Sequence, residues 1–177
     1  MGEKIITIFG TSKAKPADTA YKLAEETGKL LAESGYTIAN GGYGGTMLAS
    51  AKAATEAGGN AIGVTCTGFK NSAANEYITR EIVTGSLDER LDTLIKLGQG
   101  YIVLPGGTGT LLELAKVWEL KNKGFKETDK PIILIGEFWQ PLLRLIAVED
   151  AGSLDCVQLA DNPQQARDIL MGQEHCR

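Results

Sequence analysis

The sequence is poor in the residues on which several common chemistries depend. Its 177 residues include three cysteines and one histidine. Cys66, Cys156 and Cys176 are odd in number and lack C-x-x-C spacing, which argues against a disulfide framework and a cysteine zinc site. The single histidine, His175, is the third residue from the end of the sequence. We therefore expect neither the histidine base of a Ser-His-Asp triad nor the ligands of a multi-histidine metal site. We therefore expect chemistry from carboxylates, arginine, lysine, hydroxyls or backbone, with no metal and no cofactor.

The sequence also lacks a block of positive charge and a long hydrophobic run. Its net charge is −4, spread along the chain, so we expect neither nucleic acid nor an anionic membrane surface as a partner. No run approaches the roughly 18 apolar residues of a membrane span. The N-terminal segment lacks the basic and apolar regions of a signal peptide, so we expect a cytoplasmic protein.

The composition that remains is that of an ordinary globular domain. Hydrophobic residues make up 43% of the chain and charged residues 23%, which disfavours disorder and coiled coil. The length suits one domain with a sizeable core. We predict a nucleotide-binding domain over residues 1–172 and a C-terminal tail over residues 173–177.

Short apolar segments alternate with helical patterns along the chain. Several segments are apolar on both faces, which predicts an α/β fold with a parallel sheet of about seven strands and helices on both faces. The predicted strands cover residues 4–9, 36–40, 60–65, 77–85, 101–107, 132–136 and 155–160. Among the predicted helices, one starts near Thr110, and another carries Leu87, Leu91 and Leu94 on one face.

Three strand-to-helix turns are rich in glycine and hydroxyl residues. They are Gly10–Ser12 ("GTS"), Gly41–Met47 ("GGYGGTM") and Pro105–Thr110 ("PGGTGT"). Right-handed crossovers bring such turns to one edge of a parallel sheet. Glycine lets backbone N–H groups approach an anion, and helix N-termini supply further donors, so these turns predict a phosphate site. None matches the GxxxxGK[ST] loop, and "GGYGGT" departs from GxGxxG.

Two charged residues near these turns each have two interpretations. Thr110 and Glu113 fit a T-x-x-E capping box, but a carboxylate in the first helical turn can also face a ligand. Arg90 follows a second candidate box, formed by Ser86 and Glu89. It is either an arginine on a solvated helix flank or one directed at the crevice and paired with phosphate or Glu113.

Three aromatic residues also have two interpretations. Tyr43, Phe69 and Tyr77 can stack on a nucleobase, whereas loop aromatics often pack only against their neighbours.

The segment "PGGTGTLLE" matches the signature PGGxGTxxE of a known protein family. By this motif the chain resembles the LOG family of cytokinin-activating phosphoribohydrolases, whose members often carry a lysine decarboxylase label. The resemblance continues through "IFGTS", "LAESGYTIANGGYGGTM", "AGGNAIGV", "LDER" and "VQLADNPQQARDIL", in the family's order and over nearly the whole chain. No lysine stands out as a Schiff-base residue, so the sequence does not support a pyridoxal-dependent decarboxylase.

The resemblance implies a Rossmann-like homodimer. It also implies hydrolysis of the N-glycosidic bond of a purine or cytokinin-type nucleoside 5'-monophosphate, giving free base and ribose 5-phosphate. The family's catalytic residues correspond to Glu113 and Arg90. Its phosphate-binding residues correspond to Gly41, Gly42, Gly44, Gly45, Gly106, Gly107, Gly109 and Thr110. The turn residues Gly10, Thr11, Ser12, Thr46 and Thr108 complete the predicted phosphate site. We expect the loop Thr67–Tyr77 to help select the base.

Two departures from the family pattern leave a second function open. Leu91 stands where many members have lysine after the arginine, and "GGYGG" replaces a GGG start. Both favour the alternative of a non-catalytic nucleotide- or cofactor-binding carrier of the same fold, like the molybdenum cofactor carriers. For the homodimer, Val117, Trp118 and Leu120 offer a candidate apolar surface.

Overall fold

A computed structural model describes residues 2–70, 73–125 and 130–174 of the chain. The strands in this part of the chain are β1 (Ile5–Phe9), β2 (Thr37–Asn40), β3 (Ala61–Cys66), β4 (Arg80–Thr84), β5 (Tyr101–Val103), β6 (Ile132–Ile135) and β7 (Gln158–Ala160). The helices are α1 (Thr19–Glu33), α2 (Thr46–Glu56), α3 (Leu87–Leu97), α4 (Thr108–Asn122), α5 (Gln140–Glu149) and α6 (Pro163–Glu174). A 3₁₀ helix over Ala151–Cys156 joins α5 to β7.

The seven strands form one sheet in the order β4-β3-β2-β1-β5-β6-β7. Every neighbouring pair is parallel. The chain builds outward from β1 to β4 and then returns to the other side of β1 with β5. This reversal opens a crevice at the carboxyl edge of the sheet, where ligands of such folds bind. The predicted Rossmann-like α/β fold with a single parallel sheet is confirmed.

Two hydrophobic clusters hold helices on the two faces of the sheet. Residues of α1, α2 and α6 pack in one cluster with Ile6 and Ile8 of β1. Residues of α3, α4 and α5 pack in the other, which includes Phe9. All five residues of β1 are buried, as expected for a central parallel strand covered on both faces.

Several element boundaries differ from the sequence-based expectation. β4 begins at Arg80 rather than at residue 77, because Ile78 donates its backbone N–H to Asn75 O in a turn. α4 begins at Thr108, two residues earlier than predicted. Leu87 was expected to share the buried face of α3, but it is 44% exposed in the first turn of the helix. α6 extends to Glu174, and residues 175–177 of the predicted tail, including His175, lie outside the described part.

Two of the three residues suggested for dimerisation belong to the core of the protomer, and the third, Leu120, is partly buried against the same cluster. Val117 and Trp118 are buried in the cluster beneath α4. The indole Nε1–H of Trp118 donates to Ser153 O over 2.8 Å. That assignment was wrong, since helical spacing alone does not tell which face meets the sheet, and the homodimer stays a prediction. None of the described helices is long and apolar enough to cross a membrane.

Candidate functional site

A cavity of about 810 Å³ opens at the carboxyl edge of the sheet. The turns after β1, β2 and β5 contribute to its wall, as does the N-terminal part of α3. Phe69, Ala73 and Asn75 of the loop after β3 close another side. The structure therefore brings together the three glycine turns that the sequence singles out.

Eight of the thirteen predicted phosphate-site residues line the cavity. They are Gly10, Thr11, Ser12, Gly44, Gly107, Thr108, Gly109 and Thr110. The other five are not among the residues that line it: Gly41, Gly42, Gly45, Thr46 and Gly106. Three of these five, Gly41, Gly45 and Thr46, make contacts that support the site.

Gly45 allows the first two turns to touch. It has a φ of 64°, and a Cβ at this position would overlap the backbone of Thr11 and Ser12. The next residue, Thr46, donates both its backbone N–H and its hydroxyl to Thr11 O, over 2.9 and 3.1 Å. The Gly45–Thr46 pair therefore fixes the second turn against the first.

Gly41 makes room for a side chain of the site. A Cβ at Gly41 would overlap the guanidinium of Arg90 and crowd the sulfur of Met47. The requirement for glycine here comes from the approach of Arg90, so Gly41 supports the site indirectly.

Glu113 faces the cavity from inside α4. The N-cap of α4 is Gly107, and no side chain caps the helix, so Thr110 lies within the first turn. The capping-box interpretation of Thr110 and Glu113 was therefore wrong. The Glu113 side chain is 13% exposed, and its Oε1 lies 3.7 Å from Nη1 of Arg90. Burial raises the pKa of Glu113 to about 7, although the nearby Arg90 charge lowers it.

Arg90 reaches the cavity from α3, whose start is well capped. Ser86 Oγ accepts the N–H of Glu89 over 3.2 Å, and the Glu89 carboxylate accepts the N–H of Gly85 over 2.7 Å. The side-chain cap from Ser86 is thereby confirmed, whereas Glu89 bonds to the N–H of Gly85 rather than to that of the N-cap residue. The Arg90 side chain is only 8% exposed, so the solvated-flank interpretation was wrong. The structure instead contains an arginine directed at the crevice and paired with Glu113.

A backbone carbonyl and two aromatic rings contact the Arg90 side chain. Its Nε donates to Val64 O over 2.8 Å. The rings of Tyr43 and Phe69 each lie 5.6 Å from the guanidinium carbon, within cation–π range. Both rings also line the cavity, whereas Tyr77 is not part of its wall and packs beside the Lys52 ammonium.

A hydrogen-bond network joins the loop after β3 to the second turn. The Tyr43 hydroxyl accepts the N–H of Cys66 over 2.8 Å. The Asn75 amide donates to Gly42 O and to Tyr43 O, over 3.1 and 2.8 Å. Sequence reasoning missed Asn75, because its role depends on a contact between residues 32 positions apart in the chain.

Three of the described residues that line the cavity carry a formal charge: Lys13, Arg90 and Glu113. Lys13 was not among the predicted site residues, although it directly follows the predicted turn Gly10–Ser12. Within the described ranges, no group of three or more His, Cys, Asp or Glu residues could hold a metal ion.

The fold and cavity define a Rossmann-like α/β protein with a ligand crevice lined by glycine turns. The family described as "SLOG cluster4 family" matches residues 3–166. The chain belongs to this family, which confirms the LOG-like membership predicted from its motifs.

Individual relatives fall into two groups. The "Cytokinin riboside 5'-monophosphate phosphoribohydrolase" of Rhodococcoides fascians is 33% identical over 106 residues, which are 58% of this chain and 52% of that protein. The match therefore spans about half of that relative. The molybdenum cofactor binding protein of Rippkaea orientalis is 26% identical, with a TM-score of 0.79 over 97% of this chain and 98% of that one. The molybdenum cofactor carrier protein of Chlamydomonas reinhardtii is 28% identical, with a TM-score of 0.77 and the same coverage.

Proposed function

We propose that the protein is a hydrolase that cleaves the N-glycosidic bond of a nucleoside 5'-monophosphate, releasing free base and ribose 5-phosphate. One observation carries this proposal. The buried carboxyl of Glu113 faces a cavity whose wall includes turns suited to phosphate. The 33% identity to a protein named as a phosphoribohydrolase supports it.

The turns Gly10–Ser12 and Gly107–Thr110 would hold the phosphate. Backbone N–H groups and the N-terminus of α4 provide donors and a positive dipole end there. An anchored phosphate fixes the ribose, so that its anomeric carbon lies beside Glu113. By binding the phosphate, the glycine turns would therefore align the glycosidic bond with Glu113.

Glu113 would act on the glycosidic bond in its ionised form. As the C–N bond breaks, its electron pair leaves with the base and positive charge develops on the ribose. A carboxylate close by stabilises this charge and takes a proton from the attacking water, whose oxygen bonds to the anomeric carbon. The departing base nitrogen takes up a proton in exchange for the one that Glu113 then releases, which completes the reaction. A pKa near 7 suits a general base that works at neutral pH.

Arg90 would hold Glu113 rather than the substrate phosphate. Its guanidinium already contacts the Val64 carbonyl and two aromatic rings, and its Nη1 lies on the Glu113 side. The positive charge keeps the carboxylate from being fully neutralised by burial. Among the interpretations of this arginine, the geometry favours a positioning role.

This function is tested by incubating the protein with a panel of nucleoside 5'-monophosphates and with the matching nucleosides, and by measuring the free base released. We expect base release from a monophosphate and not from its nucleoside. Glu113→Gln should abolish release while the protein stays folded. The matched control is Glu119→Gln, which changes an exposed glutamate on the same helix.

A carrier of a phosphorylated cofactor is the second candidate. The similarity to two molybdenum cofactor proteins over 97% of this chain favours it. Leu91, which stands where many LOG members have lysine, is buried in the core and brings no charge to the cavity. A monophosphate that raises the melting temperature without base release would favour the carrier.

A further inference from the structure

The charges around the cavity leave one cation without an assigned role. Of the described residues that line it, only Lys13, Arg90 and Glu113 are charged. Arg90 and Glu113 oppose each other within 3.7 Å. A phosphate monoester carries close to two negative charges at neutral pH. The Arg90–Glu113 pair offers such a ligand little net positive charge.

The surroundings of Arg90 restrict its use as a phosphate ligand. Its Nε donates to Val64 O, and the rings of Tyr43 and Phe69 each lie 5.6 Å from the guanidinium carbon. A phosphate close to Arg90 would also lie close to the Glu113 carboxylate, and two anions repel each other in a poorly solvated site. The phosphate is better placed at the other side of the cavity.

Lys13 contributes to the cavity wall from a different segment, the one that follows β1. Its backbone N–H donates to Thr11 Oγ1 over 3.2 Å, which fixes the local shape of the turn. Lys13 is exposed and is one of the residues that line the cavity, and no described residue forms an ion pair with it. A lysine ammonium is a flexible point charge with three donors, suited to a phosphate whose position backbone groups define.

We propose that Lys13 is a specificity-determining residue of this site, which binds the phosphate monoester and discriminates it from the uncharged ribose compound. This inference rests on the part of the proposed function that assigns a phosphorylated ribose to the cavity. Lys13 would contact the phosphate together with the turn residues Thr11, Ser12 and Gly107–Thr110. It takes no part in bond cleavage, which belongs to Glu113.

Lys15 provides a matched control. It lies two residues away in the same segment and is exposed, but it is not part of the cavity wall. Its backbone N–H is bonded to Asp18 Oδ2 over 2.8 Å, a contact that a side-chain substitution preserves. Lys13→Met and Lys15→Met therefore remove the same charge from the same turn.

The test is calorimetric titration of wild-type protein and both variants with ribose 5-phosphate and with ribose. Ribose 5-phosphate has no glycosidic C–N bond, so it reports phosphate binding without turnover. We expect Lys13→Met to weaken binding of ribose 5-phosphate about tenfold, as for loss of a charge-assisted contact. It should also flatten the salt dependence of that binding. Lys15→Met should bind like wild type, and ribose should respond to neither substitution.

Three results would overturn the inference. They are unchanged ribose 5-phosphate affinity in Lys13→Met, an equal loss in Lys15→Met, and no binding of ribose 5-phosphate to the wild-type protein. Failure of the hydrolase proposal gives a different pattern. In that case ribose 5-phosphate binding still depends on Lys13, but no monophosphate in the panel loses its base.

Discussion

Replacement of Glu113 by glutamine should stabilise the protein at neutral and alkaline pH. The carboxyl has an ordinary pKa of 4.5 and a folded-state pKa of about 7, because burial disfavours its ionised form. At about 1.4 kcal/mol per unit, folding loses about 3 kcal/mol once the group is ionised in both states. Glutamine has a similar shape without this charge, so the variant avoids that loss. A catalytic carboxylate held in a poorly solvated place would thus lower the stability of the fold.

The sign of the pH dependence follows from the direction of the shift. Below pH 4.5 the carboxyl is protonated in both states, so the substitution changes the stability little. Between pH 4.5 and about 7 the unfolded chain ionises first, and the wild-type protein loses stability as the pH rises. Above pH 7 the loss is complete. The variant should therefore gain progressively over wild type through this window.

Urea unfolding at pH 5 and pH 8 measures the difference. Trp118 and Trp139 are buried and provide fluorescence signals for unfolding. We expect Glu113→Gln to exceed wild type by about 3 kcal/mol at pH 8, or about 6–12 °C in melting temperature, and by much less at pH 5. Glu119→Gln should show no such gap, because that side chain is 61% exposed. A variant that is less stable than wild type at pH 8, or a gap independent of pH, would refute the reasoning.

Three further predictions concern activity. If ionised Glu113 is the base, kcat/KM should rise about tenfold per pH unit below pH 7 and level off above it. Arg90→Met should move that midpoint to higher pH, since Arg90 lowers the pKa of Glu113; a falling profile would instead make the neutral acid the active form. Gly41→Ala should displace the Arg90 guanidinium and lower kcat/KM, whereas Gly152→Ala, at an exposed position that is not part of the cavity wall, meets no atom within 4 Å and should leave kcat/KM unchanged. Equal activity losses in these two variants would contradict the support role of Gly41.

The sequence predicts the architecture well, because each strand and helix can be identified from its own short segment. The alternation of strands and helices then indicates a parallel sheet. Strands such as β1 are buried throughout, and their continuous apolar runs indicate this directly. Helix faces are less certain. Leu87 and Trp118 both satisfy a helical stripe, yet one is 44% exposed and the other 7% exposed. The spacing of apolar residues shows that a helix has an apolar face. It does not show which residues of that face contact the sheet, because this depends on where the helix begins.

The site was predictable at the level of its turns, but not in the roles of single residues. Glycine turns at the carboxyl edge follow from the βα alternation. The start of α4 could not be predicted in this way. Its N-cap is a glycine with no capping side chain, whereas the T-x-x-E pattern three residues later resembles a capping box. The support role of Gly41 depends on Arg90, which lies in a different element. Such roles arise from long-range packing.

The most direct test of the account is release of free base from AMP, compared with adenosine, by the wild-type protein and by Glu113→Gln. Chromatography of adenine and ribose 5-phosphate measures both products. We predict release from AMP alone, reduced by a factor of at least about 10² in the variant, as expected for loss of a general base. Because the base is not fixed by the site, other purine and cytokinin-type monophosphates belong in the same experiment. Release that persists undiminished in Glu113→Gln, or no release from any monophosphate, would contradict the proposed hydrolase.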